Sequence, residues 1–346
     1  MSDPRPVLGV TLGDPAGVGP EITLKALTER GVRAGARSLV LGDAAVVRRT
    51  VADLGLGLDV RVVDGPGGVP DPGDGGDAAV YVRDLGGDGG IEPGVVAAAS
   101  GRSAVAAVEE ACALVRDGRL DGIVTAPLNK EAIKLAGSPY PGHTEMLGDL
   151  LGVGAKRVVT MFVLDKLRIF FLTRHRPLAD VIADLSVEQV RDGIVRTREL
   201  LGELGFATPR VALAALNPHA GENGLLGREE GAILEPAVAA ARAAGVDAYG
   251  PVPADAVFHQ TRQGRYDGVV SLYHDQGHIA AKTLDFFGTV SCTLGLPVIR
   301  TSVDHGTAFD IAGQGVADPA GQARAMRLAA ELAPAVLSVR GRKPAP

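Results

Sequence analysis

The chain is predicted to be an α/β protein in two lobes, with parallel-rich sheets and an antiparallel hairpin insertion. Three observations predict this. Short apolar runs rich in Val, Ile and Leu alternate with longer helical patterns over most of the chain, the mark of βα units. The length of 346 residues, at roughly 100–200 residues per domain, suggests two domains or one large one. Residues 157–164 and 167–173 are apolar runs joined only by Asp165-Lys166, which reads as a hairpin rather than a crossover.

Taken in order, residues 6–12 form a first strand that ends at Gly13-Asp14-Pro15. A helix then starts near Pro20-Glu21, where a proline and an acid suit the orphan amides and dipole of a first turn. Strands are expected at 38–41 and 59–63, with a helix over 44–54. Residues 65–77 are Gly, Pro and Asp almost throughout and read as a surface loop. A long Ala/Val helix over 95–116 feeds a buried strand from Gly122, which ends at Asn129 and Lys130. Beyond the hairpin come helices at 187–204, 229–244 and 320–337 and strands at 211–216, 268–272 and 290–294, with a further strand end near 300; residues 340–346 read as a frayed tail. The lobes are set at 1–128 with 285–346, and at 129–284. The crevice between such lobes is the default site.

Composition narrows the function. Forty-one acidic against 35 basic residues give a net charge of −6, which argues against a polyanion-binding surface and so against nucleic acid. No apolar stretch approaches the roughly 18 residues of a membrane helix, and no apolar signal core follows Met1. Cys112 and Cys292 lie far apart without metal-type spacing, which suits a reduced, cytoplasmic setting.

Chemistry in α/β proteins collects where strands end, and the strand ends here are polar. Thr173 leads to Arg174-His175, Leu216 to Asn217-Pro218-His219, and Leu272 to Tyr273-His274-Asp275-Gln276. His175, His219 and His274 could converge as a three-imidazole metal site with open positions for substrate. Equally, each could be an ordinary loop histidine; spacings of 44 and 55 residues do not decide. His278, four residues after His274, is a weaker ligand candidate because Gly277 interrupts the pair, and His259 reads as surface. His143 and Thr144 open a helical pattern, where side chains and free amides could meet an anion or where Thr144 could simply cap. Lys282 and Arg300 stand among apolar runs; both could snorkel, although the bidentate fork of Arg300 suits a carboxylate or phosphate. The block from Gly13 to Gly19 has the wrong spacing for a dinucleotide fingerprint, and no P-loop exists.

Five blocks in order, Leu12-Gly-Asp-Pro-Ala-Gly-Val-Gly-Pro-Glu-Ile22, Gly142-His-Thr-Glu145, Asn217-Pro-His-Ala-Gly-Glu222, Tyr273-His-Asp-Gln-Gly277 and the run Thr293 to Ala308, resemble the 4-hydroxythreonine-4-phosphate dehydrogenase (PdxA) family. The resemblance runs from about residue 7 to 335. It implies an isocitrate/isopropylmalate dehydrogenase-like fold and an NAD-dependent oxidative decarboxylase. It also implies one divalent metal per site (Zn, Mg, Mn or Co) on His175, His219 and His274. Substrate contacts are implied at His143, Thr144, Lys282, Ser291 and Arg300. Asp304, His305, Gly306, Thr307 and Ile311 would lie in the cofactor loop. Lys130 and Asp275 are the candidates for proton transfer, from position. A homodimer sharing its active site is implied, with the hairpin in its interface. Where pyridoxine-pathway members carry His, Leu-Pro and Asn, this chain has Asn129, His278-Ile279 and Ser291. Those forms resemble a branch acting on 4-phospho-threonate or 4-phospho-erythronate, giving dihydroxyacetone phosphate. The alternatives are the B6 substrate itself and an aromatic cis-dihydrodiol carboxylate.

Overall fold

The computed structural model describes residues 5–73, 77–87, 90–154 and 157–345. Among these, the strands in chain order are β1 (Val7–Thr11), β2 (Arg37–Gly42), β3 (Asp59–Val62), β4 (Ala79–Asp84), β5 (Gly122–Thr125), β6 (Val159–Leu164), β7 (Leu167–Phe171), β8 (Val211–Ala214), β9 (Ala248–Val252), β10 (Gly268–Ser271), β11 (Val290–Leu294) and β12 (Ile299–Val303). The fold divides into two compact units, Met1–Val158 with Val290–Pro346, and Val159–Thr289.

In the first unit the strand order is β3-β4-β2-β1-β5-β12-β11. Every pair is parallel except β11 against β12. β1 and β5, fully buried, read as continuous apolar runs because helices cover both faces of such a sheet. Residues 129–158, expected in the second lobe, belong here. The reason is the helix Lys130–Leu135, which packs tightly against the helix Ala98–Arg116: a Cβ on Gly101 would stand 2.1 Å from the carbonyl oxygen of Ala132, so only glycine allows the approach.

In the second unit the order is β6-β7-β10-β8-β9. β6 and β7 form the expected antiparallel hairpin, Leu164 facing Leu167 with Asp165 at φ +54 in the turn. β7, β10, β8 and β9 are mutually parallel, so their carboxyl ends share one edge. β9 holds Pro251, a residue that confines a strand to a sheet edge and hid this one from the pattern.

Three expectations are corrected. The stretch 65–77 is a loop, but Val69 within it is 2% exposed and joins the first unit's core; residues 74–76 lie outside the described residues. The helix expected over 229–244 begins as a π turn, Glu230–Leu234, before the α-helix Glu235–Ala243. The tail is tied down rather than frayed. The Ala345 amide donates to Asp121 Oδ1 at 2.8 Å while the Val7 amide donates to Oδ2 at 2.8 Å, so one buried carboxylate joins the chain's first strand to its end.

Candidate active site

The expected site residues fall into two groups, one in each unit. In the first unit, Arg300 sits mid-strand on β12 and is 5% exposed. Its Nε and Nη2 donate to Thr125 Oγ1 (3.1 and 2.5 Å) and its Nη1 to Thr293 Oγ1 (3.0 Å). The Thr125 and Ser302 hydroxyls lie 3.1 Å apart, and Ser302 donates to the Thr125 carbonyl, so the hydroxyl network is rigid. No carboxylate among the described residues neutralises the guanidinium, and burial pulls it down to about 10. Arg300 therefore remains a buried cation at neutral pH.

His143 opens the helix His143–Leu150. Its outer edge is partly exposed, but Nε2 is sealed from solvent and has no hydrogen-bond partner. Burial, aided by the Arg300 charge, holds the imidazole well below its usual value, so it is neutral. A buried cation without a counter-charge and an unpartnered ring nitrogen beside it are the complement of an anion. Thr144 follows on the same first turn, and Ser291 lies partly exposed on β11. Lys130 is exposed at the start of its helix, its Cε passing 3.9 Å from where a Cβ of Gly142, the residue before His143, would be. Asn129 caps that helix by accepting from the Ala132 amide at 2.9 Å.

In the second unit, β7, β10 and β8 are neighbours, and the segments leaving their carboxyl ends carry His175, His274 and His219. His175 and His274 are brought together, with ring centroids 5.7 Å apart. They line one cavity with Arg176, Pro177, Leu178, Tyr273 and Asp275. His274 Nδ1 meets Asp275 Oδ1 at 2.6 Å; an ionised carboxylate only accepts, so this bond places the proton on Nδ1 and leaves Nε2 with its lone pair. Two imidazoles lining one cavity are of the donor type that divalent cations accept, so the pair could supply part of a metal's ligands. His278 stacks on His274, 3.5 Å between centroids and 10° from parallel, with Nδ1 on the His274 carbonyl at 2.8 Å. His219 stands exposed on its own loop. Among the described residues, no three His, Cys, Asp or Glu side chains of one chain gather closely enough to hold an ion. Lys282 lies on the helix His274–Leu284, with Nζ 5.2 Å over the Phe286 ring.

Asp304, His305, Gly306 and Thr307 follow β12, and Ile311 packs in a small cluster with Val18, Ile22, Val303 and Ala317. The glycine block that fails as a dinucleotide fingerprint is the seat of this loop. The Val18 amide donates to the Thr307 carbonyl (2.9 Å), and a Cβ on Gly17 would stand 2.8 Å from the same oxygen. Lys25 Nζ donates to Gly315 and Ala317 carbonyls (2.8 and 2.9 Å) and to Glu21 Oε1 (2.7 Å), pinning the loop's far end. Asp14 in the same block is fully buried, and burial pushes its carboxyl above the usual range. Sequence reading missed Thr125 and Thr293, whose hydroxyls seat Arg300; the only signal was that they share its strand neighbourhood.

Comparison with known proteins bears on both groups. Residues 34–329 match the family described as pyridoxal phosphate biosynthetic protein PdxA. The chain is 44% identical over 335 residues to the D-threonate 4-phosphate dehydrogenase of Cupriavidus necator, covering 96% of this chain and 99% of that one. Its fold is similar to the crystal structure of 4-hydroxythreonine-4-phosphate dehydrogenase from Klebsiella pneumoniae, with a TM-score of 0.85 and 42% identity over 96% of this chain and 99% of that one. It is also similar to a terephthalate 1,2-cis-dihydrodiol dehydrogenase from Burkholderia xenovorans, with a TM-score of 0.63 and 32% identity over 94% and 98%. The chain belongs to the PdxA family.

Proposed function

We propose that this protein is a cytoplasmic dehydrogenase that oxidises a small phosphorylated 3-hydroxy acid, 4-phospho-D-threonate or 4-phospho-D-erythronate, and decarboxylates it to dihydroxyacetone phosphate. The observation that carries the reading is Arg300: a buried guanidinium bonded only to hydroxyls carries a positive charge that an anionic ligand would balance. The branch is supported by the likeness to the Cupriavidus necator enzyme and by Asn129, Ser291 and His278, where this chain departs from B6 members.

In this reading the reaction removes hydride from C3 and the proton from its hydroxyl. The C1–C2 bond then breaks, its electron pair passing into the new carbonyl system, and C2 is reprotonated as CO2 leaves. A nicotinamide cofactor, when bound, would supply the hydride acceptor, and a divalent cation held by His175, His274 and His219 would supply positive charge beside the reacting oxygen. Arg300, His143, Thr144, Lys282 and Ser291 bind and orient the charged ends of the substrate. Lys130 returns the proton at C2. Asp275, engaged with His274 Nδ1, orients that ring rather than carrying the proton. The loop of Asp304, His305, Gly306, Thr307 and Ile311 holds the dinucleotide.

The complete metal set needs a second copy of the chain. His219 lies apart from the His175–His274 pair, and Leu225, near it in the same segment, is 77% exposed. A homodimer sharing its sites meets both conditions. The likeness to the Klebsiella pneumoniae structure favours a second reading, 4-hydroxythreonine 4-phosphate as substrate. The test is NAD reduction on a panel of 4-phospho-D-threonate, 4-phospho-D-erythronate, 4-hydroxythreonine 4-phosphate and a cis-dihydrodiol carboxylate. The sugar acids are expected to turn over fastest, and faster turnover of the amino acid overturns the branch.

A further inference from the structure

The loop that carries His219 has a backbone found nowhere else among the described residues. Other non-glycine residues with positive φ, Asp165 and Ala308, occur singly. Here the left-handed conformation runs through His219 (φ 52), Ala220 (54), Gly221 (76), Glu222 (43) and Asn223 (55) without a break. L-residues rarely visit this region, and then one at a time, because Cβ crowds the following carbonyl oxygen. A five-residue run of this kind, four of them not glycine, persists only where its surroundings over-determine it, and such strain collects at functional sites.

At the base of this turn lies Glu230, a carboxylate 2% exposed. Its Oε1 accepts from the backbone amides of Leu216 (2.9 Å) and Asn217 (2.6 Å), where the chain leaves β8, and its Oε2 accepts from Asn217 Nδ2 (2.8 Å). The same Nδ2 donates to Glu229 Oε2 at 2.7 Å. Two glycines close the assembly: a Cβ on Gly221 would lie 2.8 Å from Glu230 Oε2, and one on Gly227 would lie 2.3 Å from Asn217 Nδ2. Glu230 also begins the π turn, an irregularity frequent at functional sites. A buried carboxylate is costly unless its oxygens are satisfied, and here three donors satisfy them.

We propose that Glu230 is the positioning residue for His219, clamping the base of the left-handed turn so that the imidazole is held in place for the divalent cation before the cation arrives. This rests on the metal reading above. Co2+ titrated calorimetrically into the metal-free full-length protein tests it. Glu230→Leu is expected to weaken binding by about tenfold or more, in the range of losses for residues that orient ligands. Glu230→Gln, which keeps an acceptor for both amides, should restore most of the affinity. Gly221→Ala, which presses on the carboxylate without removing it, should weaken binding in a protein that still folds, should Glu230→Leu not. His219→Ala combined with Glu230→Leu should lose no more than His219→Ala alone, because both act through one ring. Wild-type affinity in Glu230→Leu and Gly221→Ala, or additive losses in the double variant, overturns the proposal while leaving the metal reading intact. Unchanged affinity in His219→Ala defeats the metal reading and this inference with it.

Discussion

The buried Arg300 of the first unit, the proposed anion hole, and the histidine edge of the second are built on opposite principles. Arg300 is mid-strand, buried and locked by Thr125 and Thr293, so its geometry is set by the sheet itself. His175, His274 and His219 stand beyond strand ends, and their orientation comes from separate supports, Asp275 and His278 for one and Glu230 for another. The first arrangement is strong because it is sealed. The second stands on loops, and among the described residues its histidines do not gather as a set of three. A charge fixed in the core defines what binds, whereas donors on loops can close around an ion.

Changes in the two regions should therefore fail differently. The largest expected effect is in the hole: Arg300→Met should raise KM for the phosphorylated substrate by about 100-fold, the scale of lost charge-assisted hydrogen bonds, while Co2+ affinity stays within about twofold. Loss of metal affinity in that variant would show that the regions are not independent. On the histidine edge, Asp275→Asn should weaken metal binding by about tenfold through the misoriented His274 ring, with phosphate binding to the hole unchanged. Equal losses in both would break the contrast.

A smaller effect comes from pH. His143 is neutral in the fold, its pKa below the roughly 6.5 of an unfolded histidine, so at acid pH the unfolded chain binds the extra proton first. Stability from this group is present above about pH 6.5 and falls as pH drops below it, by at most about 1.4 kcal/mol per pH unit. Thermal melts should show that slope in the wild type and a shallower one in His143→Gln; identical slopes would mean that the ring is not sealed. The smallest effect is expected at the thiols. Cys112 and Cys292 are fully buried, and burial pushes the Cys112 thiol up to about 12, so a thiol reagent should modify neither until the chain unfolds.

Periodicity made the βα alternation, the hairpin and the strand ends legible, because apolar spacing reports directly on which face is buried. It did not reveal β9, where Pro251 masks the pattern, or the anchoring of the tail, which depends on one buried carboxylate, Asp121, far away in sequence. The candidate ligands were legible as types: histidines after apolar runs, an arginine within one. Their supports were not. Thr125, Thr293 and Glu230 are ordinary residues until the sheet brings their oxygens to Arg300, or the π turn brings a carboxylate to the amides leaving β8. The left-handed turn at His219 has no local marker beyond Gly221 and Gly224, since its cause lies several residues downstream.

The most direct test is stoichiometric. With 4-phospho-D-threonate below the wild-type KM, NAD and a divalent cation, reduced nicotinamide and dihydroxyacetone phosphate should appear one for one in the wild type, and neither should appear at comparable rate in Arg300→Met. Triose phosphate formed without reduced cofactor, or reduced cofactor formed equally well when Arg300 is lost, would contradict the account.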